Sequence, residues 1–159
     1  MKILVLSDTH GRIDMLKYVL NNASYDEIFY LGDGLTDIMQ CAIDPAMKIT
    51  YVRGNQDGDI DAPDDLMFEL KGIRIMMTHG HNHGVKLGMG KLFKHAIANE
   101  VDLLLFGHTH MPFTTTLENG MVVLNPGSLG KGRLKYNSFG IIEIDDTGKF
   151  TTRLFSFNM

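Results

Sequence analysis

Five short apolar runs in the chain each lead directly into a cluster of polar residues. The runs have the composition of strands buried on both faces, and they are Ile3–Leu6, Glu27–Leu31, Ile49–Val52, Ile73–Met77 and Leu103–Phe106. The clusters that follow have the sequences SDTHG, GDG, RGNQD, THGHNHG and GHTH. Because ligands of an α/β sheet bind at the carboxyl ends of its strands, this repetition predicts a site assembled from several strand ends.

The remaining pattern predicts helices early in the chain and antiparallel strands later. Apolar residues recur at helical spacing in three segments, which are Arg12–Asn21, Leu35–Ala42 and Val85–Asn99. Two hairpins with glycine-containing turns are predicted later, one from Phe113–Leu117 and Met121–Leu124, the other from Ser138–Ile144 and Phe150–Phe157. We therefore predict an α/β domain over residues 1–159, with two packed β layers and helices outside them.

Composition narrows the classes of protein to which the chain can belong. The chain has 159 residues, a formal charge of −4 and no run rich in Lys or Arg, which disfavours a nuclease or another nucleic-acid binder. The single cysteine, Cys41, excludes an intramolecular disulfide and is expected to be buried on a helix. Because no segment approaches the roughly 18 apolar residues of a membrane span, we expect a cytosolic protein without a membrane partner.

The polar clusters contain residue types that bind metal ions. Asp8 and His10 are two residues apart, so in extended backbone their side chains point the same way. A carboxylate combined with an imidazole suits Mn, Zn, Fe or Ni better than Ca or Mg. Asp33 has glycines on both sides and can bridge two cations, and Asn55 offers an amide oxygen. Each motif alone is a weak signal, because D-x-H occurs by chance and the segments around Asp33 and Asn55 are also typical of ordinary turns.

The histidines strengthen this interpretation because most of them lie at strand ends. Of the 7 histidines, His95 lies on a predicted helix and is expected to be an ordinary helix residue, whereas two strand-end clusters contain His79, His81, His83, His108 and His110. Two aspartates, one asparagine and four histidines are too many ligands for one tetrahedral site. They suit two ions that share a bridging carboxylate, roughly 3.5–4 Å apart.

The order of these motifs, D-x-H, G-D, G-N-x-D, T-H-G-H and G-H-T-H, resembles that of the calcineurin-like metallophosphoesterases. The most similar branch is that of the small bacterial and archaeal phosphodiesterases of the YfcE type. The resemblance extends from Asp8 to the turn Asn125-Pro126-Gly127-Ser128, which we expect to be mainly structural. It implies a four-layer αββα sandwich with a dinuclear metal site at the strand ends.

The resemblance also assigns ligands and cofactors. It implies that Asp8, His10 and His110 hold one metal ion, that a second ion is held by Asn55, His79 and His108, and that Asp33 bridges the two. In this family Mn²⁺ commonly supports activity, and Fe, Ni and Zn are the alternative ions at related sites. The substrate would be a small phosphodiester in the cytoplasm, and family members often form dimers or tetramers.

Gln56 departs from the pattern of many relatives, which have histidine at the third position of G-N-x-D/E. That histidine protonates the leaving group or stabilises the transition state, a contribution typically worth about 10²–10⁴ in rate. Glutamine donates hydrogen bonds but cannot act as an acid. Small YfcE-type members also lack this histidine. His81 is the candidate catalytic residue, either partly replacing the missing acid or supporting a metal ligand or the substrate phosphate.

We therefore predict a metal-dependent phosphoric diester hydrolase that favours substrates with good leaving groups. One alternative is a phosphomonoesterase of the same fold. Another is a non-catalytic interaction scaffold, because a eukaryotic retromer subunit has this fold with an eroded site. The presence of all seven ligand positions argues against the scaffold. The residues that bind the organic part of the substrate are not assigned by the sequence.

Overall fold

The computed structural model describes residues 1–41, 43–130 and 136–158. Its strands are β1 (Lys2–Leu6), β2 (Glu27–Tyr30), β3 (Lys48–Tyr51), β4 (Asp65–Leu70), β5 (Ile73–Thr78), β6 (Leu103–Phe106), β7 (Phe113–Thr116), β8 (Val122–Asn125), β9 (Asn137–Ile144) and β10 (Phe150–Phe157). Its α-helices are α1 (Ile13–Asn22), α2 (Leu35–Gln40) and α3 (Gly90–Ala98). A short 3₁₀ helix spans His81–His83.

The strands form two mixed sheets. The first has the order β10-β9-β1-β2-β3, in which β1, β2 and β3 are parallel and β9 and β10 are antiparallel additions. The second has the order β4-β5-β6-β8-β7, in which β5, β6 and β8 are parallel and β4 and β7 are antiparallel edge strands. Both predicted hairpins are present, as β7–β8 and β9–β10.

Alternating side chains of β1 show how the layers are stacked. Ile3 and Val5 join the core between the two sheets, together with residues of β5 and β6. Leu4 and Leu6 point the other way and pack with α1 and α2. On the outer face of the second sheet, β6 packs against α3. The resulting order of helices, sheet, sheet and helix confirms the predicted four-layer αββα sandwich.

The loops at the carboxyl ends of the parallel strands are hydrogen-bonded to one another. In the first sheet, the Asp8 N–H donates to the Gly32 carbonyl at 3.0 Å, which joins the ends of β1 and β2. In the second sheet, the Gly107 N–H donates to the His79 carbonyl at 3.2 Å, which joins the ends of β5 and β6. These bonds bring the polar clusters of distant segments to one edge of the sandwich.

Two elements differ from the sequence prediction. Strand β4 was not predicted, because its alternation is masked by the exposed Met67 and by acidic residues that are unfavourable in strands. Helix α3 begins at Gly90 rather than Val85, since Gly88 has a φ of +154° that an α-helix does not allow. Ala42, the predicted end of α2, lies outside the described residues. Cys41 is buried at the end of α2, as expected.

No helix in the described part of the chain is both long and apolar enough to cross a membrane.

Candidate metal centre

Three of the predicted ligands, Asp8, His10 and His110, form one group. Asp8 and His10 follow β1 of the first sheet, and His110 follows β6 of the second. Asp8 Oδ1 lies 3.0 Å from His110 Nε2 and 3.5 Å from His10 Nε2. The two imidazole nitrogens are 3.2 Å apart. One carboxylate oxygen and two imidazole nitrogens therefore converge on a single point, as metal ligands do.

The two carboxylate oxygens of Asp8 have different surroundings. Oδ2 accepts hydrogen bonds from the Ser7 hydroxyl and, at 3.1 Å, from the His108 N–H. Oδ1 is buried and accepts no hydrogen bond from the residues that the structure describes. Burial opposes ionisation of Asp8, but the nearby His10 and His110 outweigh it and hold the pKa of this carboxyl well below its ordinary value. A buried anionic oxygen that faces two imidazoles fits a divalent cation.

A second group consists of Asp33, His79 and His108. His79 Nε2 lies 3.4 Å from Asp33 Oδ2 and 3.0 Å from His108 Nδ1. The other ring nitrogen of His79 is 2.7 Å from the Leu31 carbonyl. Because a carbonyl only accepts, Nδ1 carries the proton and Nε2 presents its lone pair to the group, an arrangement typical of metal-ligating histidines.

Asp33 lies between the two groups. Its Oδ1 is held by the Gln56 N–H at 2.8 Å. Its Oδ2 is 3.4 Å from His79 in the second group and 3.8 Å from His10 in the first. One carboxylate oxygen thus faces imidazoles of both groups, which is the position that a bridging ligand requires.

The charges of the second group are strongly coupled. Burial opposes ionisation of both partners, but their proximity lowers the pKa of Asp33 and raises the pKa of His79. Burial, together with the neighbouring His79 and Lys86, lowers the pKa of His108 to about 4. His108 is therefore neutral near pH 7, and a neutral imidazole is the form that binds metals.

The backbone at these positions is strained. Five of the predicted ligands have positive φ angles, a region that costs a non-glycine residue roughly 1–2 kcal/mol: Asp8 (56°), His10 (46°), Asp33 (57°), His108 (65°) and His110 (59°). In the rest of the described chain, only Lys71 and Glu100 share this conformation among non-glycine residues. Strain concentrated in this way is typical of functional sites.

The seventh predicted ligand, Asn55, is exposed and lies in the loop that follows β3. This loop contacts Asp33 directly through the Gln56 N–H. At Gly54 a Cβ atom would overlap the Asp33 carboxylate, so only glycine permits this close approach. Asn55 is therefore part of the loop that contacts Asp33 of the second group.

The other histidines lie at different distances from the two groups. The ring of His81 has its centroid 5.4 Å from that of His79 and 6.2 Å from that of His108. His83 instead pairs with Asp65 at 2.8 Å and is 5.4 Å, between ring centroids, from His95. His81 is thus beside the second group, whereas His83 and His95 form a separate contact.

Asp57 is a site-supporting residue that the sequence interpretation did not single out. Its carboxylate accepts hydrogen bonds of 2.7–2.8 Å from four backbone N–H groups, which belong to Asp33, Gly34, Leu35 and Gly54. It thereby ties the loop after β3 to the loop after β2. The signal was present as the last residue of G-N-x-D, but an aspartate in a turn has too many ordinary roles to be assigned from sequence.

The Asn125–Ser128 turn also supports the site through hydrogen bonds. Asn125 Nδ2 donates to the Gly107 carbonyl at 2.9 Å and to the Thr109 hydroxyl at 3.0 Å. The Ser128 hydroxyl donates to the Asp8 carbonyl at 2.8 Å. Both residues are buried, so they hold the backbone of the two ligand-bearing loops.

Comparison with known proteins agrees with this geometry. The model of the calcineurin-like phosphoesterase superfamily domain matches residues 1–147. The chain belongs to this superfamily. A probable metallophosphoesterase of Mycoplasma pneumoniae is 36% identical over 131 residues, which cover 80% of this chain and 79% of the relative. This calcineurin-like phosphoesterase is therefore a member of a family of metal-dependent phosphate-ester hydrolases.

Solved structures share the whole fold. An uncharacterised protein of Streptococcus pneumoniae, described as a predicted phosphoesterase, aligns with a TM-score of 0.74 and 26% identity over 98% of this chain and 97% of its own. The phosphoesterase YfcE of Escherichia coli aligns with a TM-score of 0.62 and 22% identity, covering 96% and 98% of the two chains. The resemblance to this group of phosphoesterases is therefore confirmed.

Proposed function

We propose that this calcineurin-like phosphoesterase is a phosphodiesterase that uses two divalent metal ions, most favourably Mn²⁺. The observation that carries the proposal is the position of Asp33 Oδ2, 3.4 Å from His79 Nε2 of one ligand group and 3.8 Å from His10 Nε2 of the other. Asp8, His10 and His110 would hold one ion. Asn55, His79 and His108 would hold the second, and Asp33 would contact both.

The reaction is the cleavage of one ester P–O bond by water, giving a phosphomonoester and an alcohol. Two divalent ions, when bound, would lower the pKa of a water between them and stabilise the negative charge that develops on the phosphoryl oxygens. The protein contributes positioning. His79 is locked by the Leu31 carbonyl, and Asp33 and Asp8 are each held through one oxygen so that the other faces the histidines.

His81 is the protein group proposed to contact the reacting phosphate. Its ring lies beside His79 and His108, and its Nδ1 is buried without a hydrogen-bond partner among the described residues. Burial and the adjacent His79 lower the pKa of His81, so the neutral imidazole predominates near pH 7. A neutral imidazole can donate a hydrogen bond from its ring N–H to a phosphate oxygen but is a poor proton donor, which favours the supporting role over the acid role.

Without a strong acid, the departing oxygen must leave largely unprotonated. Gln56 donates its backbone N–H to Asp33, and its side chain is exposed and cannot transfer a proton. Esters of acidic alcohols such as p-nitrophenol are therefore expected to react much faster than alkyl esters. Such a preference is expected of a diesterase that depends on its metals rather than on a protein acid.

The test combines metal content with substrate choice. Protein stripped with a chelator and reloaded with Mn²⁺ should retain two ions per chain after gel filtration, measured by elemental analysis. The loaded protein should hydrolyse bis-p-nitrophenyl phosphate with a higher kcat/KM than p-nitrophenyl phosphate. A higher kcat/KM for the monoester would show that the protein is a phosphomonoesterase and not a diesterase. Failure to bind Mn, Fe, Ni or Zn would favour the non-catalytic scaffold.

A further inference from the structure

An apolar cavity adjoins the candidate metal centre on the side of the second sheet. It encloses about 240 Å³, and its walls are formed by Val85, Met89, Phe106, Met111, Pro112 and Phe113. Thr109, which separates the predicted ligands His108 and His110, also lines it. The loop that carries two of the ligands is therefore part of the cavity wall, so a group attached to a phosphate at the metal centre can extend into the cavity.

The lining favours a flat aromatic group. Two phenylalanine rings, two thioethers and a proline ring supply broad apolar faces, and sulfur and aromatic side chains both make favourable contacts with aromatic rings. The volume is below the roughly 300–1,000 Å³ of pockets that hold drug-sized ligands, so the group is of the size of a single ring system.

Lys86 gives the cavity one cationic side chain. It is exposed, and in the described part of the chain no carboxylate lies within ion-pair distance of its ammonium group. Lys86 lines the cavity together with Thr109, the residue that follows the predicted ligand His108. A cation on the wall of an apolar cavity that adjoins a phosphate site attracts the anionic end of a substrate whose other end is apolar.

We propose that this cavity binds an aromatic ester group of the phosphodiester substrate, with Lys86 attracting the phosphate at the cavity mouth. The inference rests on the proposed function, because it places the phosphate at the metal centre. It adds the substrate class: aryl or nucleobase-bearing phosphodiesters rather than purely alkyl ones.

Binding measurements can test the cavity and the metal centre separately. The Mn²⁺-loaded full chain is titrated calorimetrically with phenylphosphonate and with methylphosphonate, which share the phosphonate head and differ in the organic group. We expect the phenyl compound to bind with at least a roughly tenfold lower Kd, because the ring enters the apolar cavity. The substitution Met111→Ala should reduce the ratio of the methylphosphonate Kd to the phenylphosphonate Kd at least about threefold. It should leave the Kd of methylphosphonate unchanged.

Matched variants complete the design. Met111 is 44% exposed, so we expect Met111→Ala to remain folded. Met39→Ala on α2, at a residue that is 56% exposed, is the control and should leave both Kd values unchanged. Lys86→Met should raise the Kd values of both phosphonates by a similar factor. Equal affinities of the two compounds for the unmodified protein would overturn the cavity assignment alone. If neither compound binds, the phosphate site fails and the inference fails with it.

Discussion

At the residue scale, Asp8 and Asp33 each direct one carboxylate oxygen at two imidazoles, but those imidazoles belong to one group for Asp8 and to both groups for Asp33. Asp8 Oδ1 faces His10 and His110, which belong to the same group. Asp33 Oδ2 faces His79 of one group and His10 of the other. The two aspartates should therefore differ in how many metal ions depend on them.

We expect Asp33→Asn to weaken the binding of both Mn²⁺ ions, whereas Asp8→Asn weakens mainly one. The substitutions remove a negative charge while retaining the size of the side chain. Each affected ion should lose more than the about 10–100-fold in affinity that follows removal of an outer-shell partner. Calorimetric titration of chelator-stripped protein with Mn²⁺ measures the number of sites and their affinities.

The exposed Asp14 on α1, paired with Arg12, provides the matched control as Asp14→Asn. This variant should bind both ions with unchanged affinity. If Asp33→Asn loses only one ion while the other keeps its affinity, Asp33 does not bridge.

Gln56→His tests whether the missing acid sets the leaving-group preference. The side chain is exposed, and the hydrogen bond to Asp33 comes from the backbone, so the substitution should leave the ligand loop intact. A histidine here can protonate the departing oxygen and should accelerate poor substrates by up to about 10²-fold, with little change for p-nitrophenyl esters. The measurement is kcat/KM across a series of aryl and alkyl diesters plotted against leaving-group pKa.

The matched substitution Gln56→Asn, which adds no acid, should leave the slope of that plot unchanged. Equal slopes for Gln56→His and the unmodified protein would mean that the departing oxygen does not pass close to position 56.

At the element scale, the sequence predicts the parallel strands well because they are buried on both faces. β1 and β6 are continuous apolar runs, and the observed bounds differ from the predicted ones by at most one residue. β4 is an edge strand with alternating exposure, and its partner β5 decides its conformation, so local sequence alone gives a weak signal. The predicted start of α3 at Val85 was wrong for a local reason, the positive φ at Gly88.

The candidate ligands were predictable because strand ends place them, and residue chemistry identifies them. What the sequence did not reveal is how the loops are fixed. Asp57 holds two loops together only because β2 and β3 are neighbours in the sheet, a relation set by tertiary structure. The apolar cavity likewise requires the loop after β6 and the segment before α3 to meet, which no local pattern predicts.

Asp57→Asn should therefore damage both stability and metal binding. An amide keeps one acceptor oxygen, so two of the four N–H groups lose their carboxylate partner, at a cost of about 1–3 kcal/mol each. We expect the free energy of unfolding to fall by about 3 kcal/mol, measured by urea denaturation of the metal-free protein. Displacement of Asp33 should also raise the Kd for Mn²⁺.

Asp59→Asn, an exposed residue of the same loop, is the control and should leave both quantities unchanged. Equal effects of the two substitutions would show that the carboxylate of Asp57 does not hold the loops.

At the scale of the whole molecule, each ligand group joins the two sheets. The first group takes Asp8 and His10 from the end of β1 and His110 from the end of β6. The second takes Asp33 from the end of β2, while its two histidines come from the second sheet. A bound ion would therefore fasten the two halves of the sandwich at the edge where both carry buried charge.

Metal loading should consequently stabilise the entire fold. An ion that binds only the folded state at 100 times its Kd adds about 2.7 kcal/mol, and for a domain of 150–250 residues each kcal/mol raises Tm by about 2–4 °C. We expect Mn²⁺ to raise the Tm of chelator-stripped protein by about 5–10 °C for each occupied site. Differential scanning calorimetry measures this shift. Mg²⁺ should give a smaller Tm shift, because imidazole-rich groups suit it poorly.

The variant Asp33→Asn should lose most of the Mn²⁺ shift, since the carboxylate that it removes faces both groups. A shift of the same size in the unmodified protein and in this variant would place the stabilising ions elsewhere on the molecule.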